Sequence, residues 1–481
     1  MRARLFVASG LATVLATGST ALAAPPWSAP EDISAPVEQV TRTSIDFGAD
    51  GVALISWADG FNNVTGPIRE PGARFVAAFS DGHSEDYGRL PGEQALAEVF
   101  GRNRTVVLRV RPRVNTETGS TRIRLVASFG STESPLLARS RRVAEYRATT
   151  AASEPALAVS AKGEVAVAWF ELDSRPAPPQ FVEQRYRLRN AEARAGRRFR
   201  PRTLGRFLLP IRDAEAVALA YGRRGELLVA YGAARLVGSE VRPFLAARLR
   251  HGPGRRFGRQ QRIGPRKEGM TLRAAALPSG RMTLAWGSKD AGEGSQRPRV
   301  VRAALRAPGG RFGAPAVLDP GEVGPGGPGQ IGLAMARDGS TTALWGSVRG
   351  REPQAQFPVR TATALPGGGF GPVTTLAVSG APGSVSAAPD GGTLVTWTTG
   401  TFGYAAPPSE QTDAFAALRP AGAATLGPPE TLSSPALEDF APAAAYDPIS
   451  GLPLAVWPAA QRTPFLSGYE QVRMQLATRA P

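Results

Sequence analysis

The sequence predicts an all-β chain folded as a β-propeller, and three observations predict it. First, a glycine is followed six residues later by an aromatic again and again. The pairs are Gly51 and Trp57, Gly163 and Trp169, Gly225 and Tyr231, Gly280 and Trp286, Gly339 and Trp345, Gly391 and Trp397, and Gly451 and Trp457. Second, each pair leads into a strand, a glycine-rich turn and another strand, as in RVVRAALRAPGGRFGAPAVL at 299–318 and VRTATALPGGGFGPVTTL at 359–376. Third, WSAPEDISAP at 27–36 matches LGPPETLSSP at 426–435, the last strand of an earlier unit.

Each unit therefore reads as four short antiparallel strands with alternating apolar residues. The gap between Trp57 and Trp169 is about twice the others, and FGRNRTVVLRV at 100–110 fills it with Val110 in the aromatic place. With that copy the units recur every roughly 52 to 62 residues, the mark of a repeat architecture. Counting gives eight four-stranded blades, with seven as the runner-up because the second unit lacks its aromatic. The final unit has three strands of its own. The N-terminal strand is expected to supply the fourth and close the ring, which removes exposed sheet edges.

In chain order, residues 1–24 read as a secretory signal: Arg2 and Arg4, the apolar LFVASGLATVLA, then Ala-Leu-Ala at 21–23. Residues 25–481 read as a single propeller domain and the protein as secreted. The blades fall at about 41–93, 95–142, 154–207, 214–263, 270–318, 329–376, 383–432 and 440–481. No later apolar run has the length of a membrane span. The turns within strand pairs are short and share one face of the disc. Loops such as FELDSRPAPPQ at 170–180 and TTGTFGYAAPPSEQTD at 398–413 lie on the other face, where binding is expected.

The chain has 57 Lys and Arg, of which three are Lys, against 40 Asp and Glu, a net charge of +17. The arginine excess, with abundant Ala, Gly and Pro, is also what a high-G+C coding bias produces. From residue 320 onward acids outnumber bases, so the positive charge sits in blades two to five. There is no cysteine, hence no disulfide and no lipoprotein anchor. The two histidines, His83 and His251, fall three blades apart, so no metal or cofactor site is expected.

The turns GGRF at 309–312 and GGGF at 367–370, followed by Pro315 and Pro372, resemble the Asp-box of sialidase-like (BNR-type) propellers. Most copies have lost the Ser and Asp of that motif; SDGHSEDYG at 80–88 keeps Ser80 and Asp81 with altered spacing. The resemblance implies a blade, since in that family the box is a folding element away from the active site. It also implies a catalytic set of three arginines, a Tyr/Glu pair and an Asp acid, for which no local spacing here provides a match. Sialidases are typically six-bladed, unlike this count.

The aromatic row, one residue per blade at a fixed place, reads as inter-blade packing and not as a sugar-stacking platform. Carboxylates expected on the long-loop face are Asp59, Glu171, Asp173, Asp290 and Glu293. A pair of them across the channel would suit glycoside hydrolysis, while isolated ones are solvated loop charges. Asp59 with Asn62 and Asn63 is a candidate for calcium, but its spacing is not the EF-hand pattern. The arginine runs at 185–206 and 248–262 lie on outer strands and their turns, and Arg187, Arg198, Arg200, Arg255 and Arg256 are the candidate polyanion-binding residues. The expected partner is an extracellular polysaccharide, an anionic wall polymer or a protein; nucleic acid is not expected. The chain thus reads as a secreted, non-catalytic binding module. The alternative is a sialidase-like glycoside hydrolase or polysaccharide lyase in the central channel. Inner segments such as PALAVSA, AVALAY and LAMA favour the first, because they leave the channel wall small and apolar.

Overall fold

The computed structural model describes residues 27–35, 40–59, 72–78, 84–91, 94–100, 104–115, 120–131, 139–148, 155–173, 184–194, 197–209, 217–238, 240–265, 271–289, 299–321, 331–347, 356–400, 412–433, 437–462 and 469–479. The proposed leader, His83, Ser80 and Asp81 lie outside them. Within these residues the regular elements are all strands apart from one short 3-10 turn at Arg223–Gly225.

The strands form successive four-stranded antiparallel meanders, as a β-propeller requires. The first unit runs Val40–Phe47, Ala53–Asp59, Gly72–Ala78, Ser84–Pro91. The second, despite its missing aromatic, is a full sheet: Gln94–Phe100, Arg104–Asn115, Ser120–Ser131, Arg139–Ala148. The third is Ala156–Val159, Glu164–Leu172, Gln184–Arg194, Arg200–Leu209, and the fourth is Val217–Tyr221, Leu227–Val237, Glu240–Arg250, Gln261–Pro265. One residue pair, Leu208 opposite Ala234, joins these two sheets at their edge. The units that start at Thr271–Ala276, Ile331–Met335 and Gly380–Ala387 repeat the order.

The final sheet confirms the N-terminal match. Pro453–Arg462 and Tyr469–Thr478 are flanked on one side by Ala443–Tyr446 and on the other by Glu31–Asp32, with Glu31 opposite Leu476. Trp27 Nε1 donates to Glu430 of the preceding unit at 2.8 Å, and Arg473 reaches Asp32. The first strands of successive units pack side by side, and Val40–Phe47 packs against Ala443–Tyr446.

The recurring glycine has a local cause. Gly339 and Gly391 sit at φ +93° and +102°, a left-handed turn conformation that a side chain rarely adopts. The preceding aspartate locks the turn: Asp338 Oδ1 accepts from Ser340 N at 2.8 Å, and Asp390 Oδ1 from Gly392 N at 2.7 Å. Six residues on, the aromatic row is buried, from Trp57 at 1% exposure to Trp457 at 0%. The apolar core lies between units: Trp169 packs with Val106, Leu108 and Tyr146 of the unit before, and Trp457 with Leu394 and Ala416. This is the packing role.

Buried arginines form a second set of inter-unit ties. Arg250, Arg306 and Arg419 each end the third strand of a unit, and each is at most 1% exposed. Arg306 reaches back to Glu226 of the previous unit with Nη2–Oε1 2.9 Å, and Arg250 to Glu192 at 3.0 Å. Arg419 Nη2 donates to Ser340 Oγ at 2.6 Å, and Arg479, just beyond its third strand, pairs with Glu430 at 2.9 Å. Part of the arginine excess is therefore structural.

Candidate anion-binding cleft

The third and fourth units leave a cleft of about 1040 Å3 between them. The strand Gln184–Arg194 explains one wall. Its side chains alternate between the two faces of the sheet, and its register places Glu164 opposite Arg194 and Glu171 opposite Arg187. Even-numbered Glu192 and Arg194 therefore share a face with Glu164, turned to the fourth unit. Odd-numbered Arg187 and Arg189 share the opposite face with Trp169 and Glu171, turned to the second unit.

The cleft is lined by Glu164, Glu192, Arg194, the turn Arg197–Phe199, Arg200 and Arg202 from the third unit. Arg250, Pro253 and Gly254 line it from the fourth. Arg194, Arg197, Arg198, Arg200 and Arg202 are exposed, and no carboxylate among the described residues pairs with Arg197, Arg198 or Arg200. Six guanidinium groups thus face two carboxylates in a recess, where low-dielectric walls strengthen the field. At the base, Arg250 pairs with Glu192. Burial nevertheless pushes the Glu192 carboxyl above its ordinary value, against the opposing pull of Arg250 and Arg202 and with the aid of Glu164. Glu164 Oε2 is buried with no hydrogen-bond donor among the described residues, close to Gly225 and Pro253.

Of the candidates named from sequence, Arg198 and Arg200 line this cleft. Arg255 and Arg256 are exposed and follow Gly254 in the chain, but do not line the cleft themselves. Arg187 is apart: Glu171 at 3.3 Å and Asp173 at 3.7 Å hold its Nε in an ion cluster. Arg189 and Arg206 complete that ion cluster. Glu171 and Asp173 are thereby ion-paired rather than solvated loop charges. A smaller cleft of about 400 Å3 lies beside this cluster, lined in part by Trp169, Glu171 and Arg189. The main cleft opens at the short-turn end, whereas the sequence pointed to the long loops. Those loops, with Asn62, Asn63, Asp290 and Glu293, fall largely outside the described residues. His251 Nδ1 lies 2.9 Å from Glu226 Oε1, inside the tie made by Arg306.

The first strands are mostly small and apolar, but those of the first two units carry an acidic pair that the sequence reading missed. Asp46 Oδ2 accepts from Val99 N of the second unit at 2.6 Å, and Oδ1 from Phe47 N at 3.0 Å. Its side chain is part-buried in area, yet the wall closes round the carboxyl, and loss of water raises its pKa from 3.8 to about 6. Glu98 is raised well above its ordinary value by burial and by Asp46, while the amide of Val159 in the third unit binds it. The available signal was positional. Five residues before the turn glycine the other units carry Ala158, Ala220, Ala275, Ala334, Ser386 and Tyr446, where the first carries Asp46.

No protein-family model matches this chain, and no curated protein matches it. Solved structures do. A polysaccharide lyase, Uly1, is similar with a TM-score of 0.43 and 7% identity over 94% of this chain and 99% of its own. The β-propeller domain of the trilobed protease from Pyrococcus furiosus has a TM-score of 0.39 and 10% identity over 83% and 97%. The leech intramolecular trans-sialidase has 0.36 and 9% over 94% and 98%. The resemblance to sialidase-like propellers is one of fold.

Proposed function

We propose that this chain is an exported propeller that binds an anionic extracellular polymer without transforming it, and that the cleft between its third and fourth units is the binding site. The observation that carries this reading is the set Arg197, Arg198 and Arg200: exposed, unmatched by any described carboxylate, and gathered at one recess. Guanidinium forks suit carboxylate, sulfate and phosphate groups alike. The signal-like residues 1–24 support export, and the apolar channel wall supports binding over catalysis. The alternative, a hydrolase or lyase in the channel, draws its support from Asp46 and Glu98, the acidic groups present there.

The test is retention of residues 25–481 on immobilised acidic polysaccharides at low and high salt, with released sugar assayed in the same tubes. Retention is expected to fall with salt, as screened charge contacts do, and to fall roughly tenfold in Arg198→Ser/Arg200→Ser. Retention that ignores both salt and these substitutions refutes the site. Released or unsaturated sugar refutes the non-catalytic reading, and loss of that product in Asp46→Asn would move the site to the channel.

A further inference from the structure

An assembly of arginines alone would favour whichever polymer carries the most negative charge. This cleft is not built that way, because two glutamates stand at its base. Glu192 is spoken for by Arg250. Glu164 is not: its Oε2 is buried with no donor among the described residues, beside Gly225 and Pro253. With that oxygen sealed off and undonated, the half-buried carboxylate can be satisfied only from the cleft it lines, so whatever occupies the cleft gains by donating to it. A phosphate chain at neutral pH has at most a terminal proton to donate and would bring its own charge toward Glu164. A sugar ring has several hydroxyl donors.

Resting on the binding reading above, we infer that the ligand is an acidic glycan, with Glu164 the residue that selects it. The exposed Arg197, Arg198 and Arg200 hold the anionic groups at the rim. Glu164 accepts a hydrogen bond from a ring hydroxyl below them. The cleft, at about 1040 Å3, is at the upper end of ligand-site volumes and has room for a short run of rings. Glu164 also repels chains whose units present only anionic oxygens to it and no hydroxyl, so selectivity comes from an unfavourable contact as well as a favourable one.

Calorimetric titration of the mature chain with a uronic-acid trimer, with tripolyphosphate and with a neutral glucose trimer tests this. Tripolyphosphate carries at least as much charge as the uronate, so charge alone ranks it first. The inference requires the reverse, a uronate preference of roughly tenfold, the worth of one hydrogen bond to a charged acceptor. Glu164→Gln removes the repulsion, so tripolyphosphate binding is expected to rise and the preference to shrink below about threefold. Glu164→Asp keeps the charge but withdraws the oxygen, so the uronate weakens while tripolyphosphate does not change. Thermal melts of both variants report folding, and either variant that folds decides the point. Tight tripolyphosphate binding that Arg198→Ser/Arg200→Ser abolishes would overturn the glycan inference and leave the anion site standing. Failure of all three ligands, in a wild-type chain that also shows no polymer retention, overturns the binding reading itself.

Discussion

Replacing Arg306 with Met should expose how far the inter-unit arginines hold the fold. Arg306 is fully buried and makes four bonds: Nη2 and Nη1 to Glu226 at 2.9 and 3.3 Å, Nη1 to Gly280 O at 3.0 Å and Nε to Gly310 O at 2.9 Å. Met fills most of the volume, so the loss is electrostatic and not a cavity. Two carbonyls lose their donor, and Glu226, 8% exposed, keeps His251 as its one remaining side-chain partner among the described residues. Breaking a buried pair from one side costs about 3–5 kcal/mol. The lower end applies here, because exposed His251 still donates to Glu226. Glu226→Gln in the same chain removes the stranded charge, so the double variant should recover at least about 1 kcal/mol relative to the sum of the singles. Urea unfolding followed by tryptophan fluorescence measures both. A single-variant loss below about 1 kcal/mol, or strict additivity, would show that Arg306 contributes volume and little else.

Three further outcomes are expected. Asp46 has a folded pKa above its unfolded one, so its stabilising contribution is complete below pH 3.8 and is lost as pH rises through about 6. Asp46→Asn loses one of the two N–H acceptors at every pH, but its effect should be more favourable at pH 7.5 than at pH 3.5 by roughly 2 kcal/mol, discounted for partial exposure. Equal effects at both pH values would rule this out. Asp319→Ala should cost about 3 kcal/mol, because Trp345 Nε1, Arg360 Nη1 and Ser347 Oγ all donate to its Oδ2 at 2.7–3.1 Å and would be left without it. A shift in the urea midpoint worth less than 1 kcal/mol would refute that. Gly383→Ala should destabilise by about 1–3 kcal/mol, since its Cβ would lie 2.3 Å from Pro442 O in the next unit. An unchanged melt would mean that the two units are less tightly apposed there.

The repeat was legible because its determinants are local. A left-handed turn needs glycine, and the hairpin register then sets the buried aromatic at a fixed distance, as Gly339 and Trp345 show. The N-terminal strand was legible because it kept the turn-and-strand pattern of 426–435, and it pairs with Tyr469–Thr478 as that match required. The site was legible only in part. Arg187 and Arg200 look alike in a charge run, yet strand alternation sends Arg187 to Glu171 and Asp173 while Arg200 opens on the cleft. Glu164 could not be singled out, because its donorless oxygen depends on Gly225 and Pro253, which belong to the next unit.

The same geometry explains how one residue type serves two ends. An arginine that closes a third strand, as Arg250 and Arg306 do, meets the previous unit across a dry seam and finds a glutamate there. An arginine a few residues further along a turn, as Arg197 and Arg198 are, has passed the edge of that seam and meets water. The cleft forms where the two situations adjoin. Arg250 and Glu192 bind the third and fourth units together at its base, and the free guanidinium groups crowd its rim. A ligand held at that rim would therefore span the seam, touching Arg198 of one unit and the turn at Gly254 of the next. Binding of this kind stabilises the folded chain in proportion to ligand occupancy. It follows that an acidic glycan should raise the melting temperature, and should do so less in Arg198→Ser/Arg200→Ser, whereas a ligand confined to one unit's loops would leave that difference at zero.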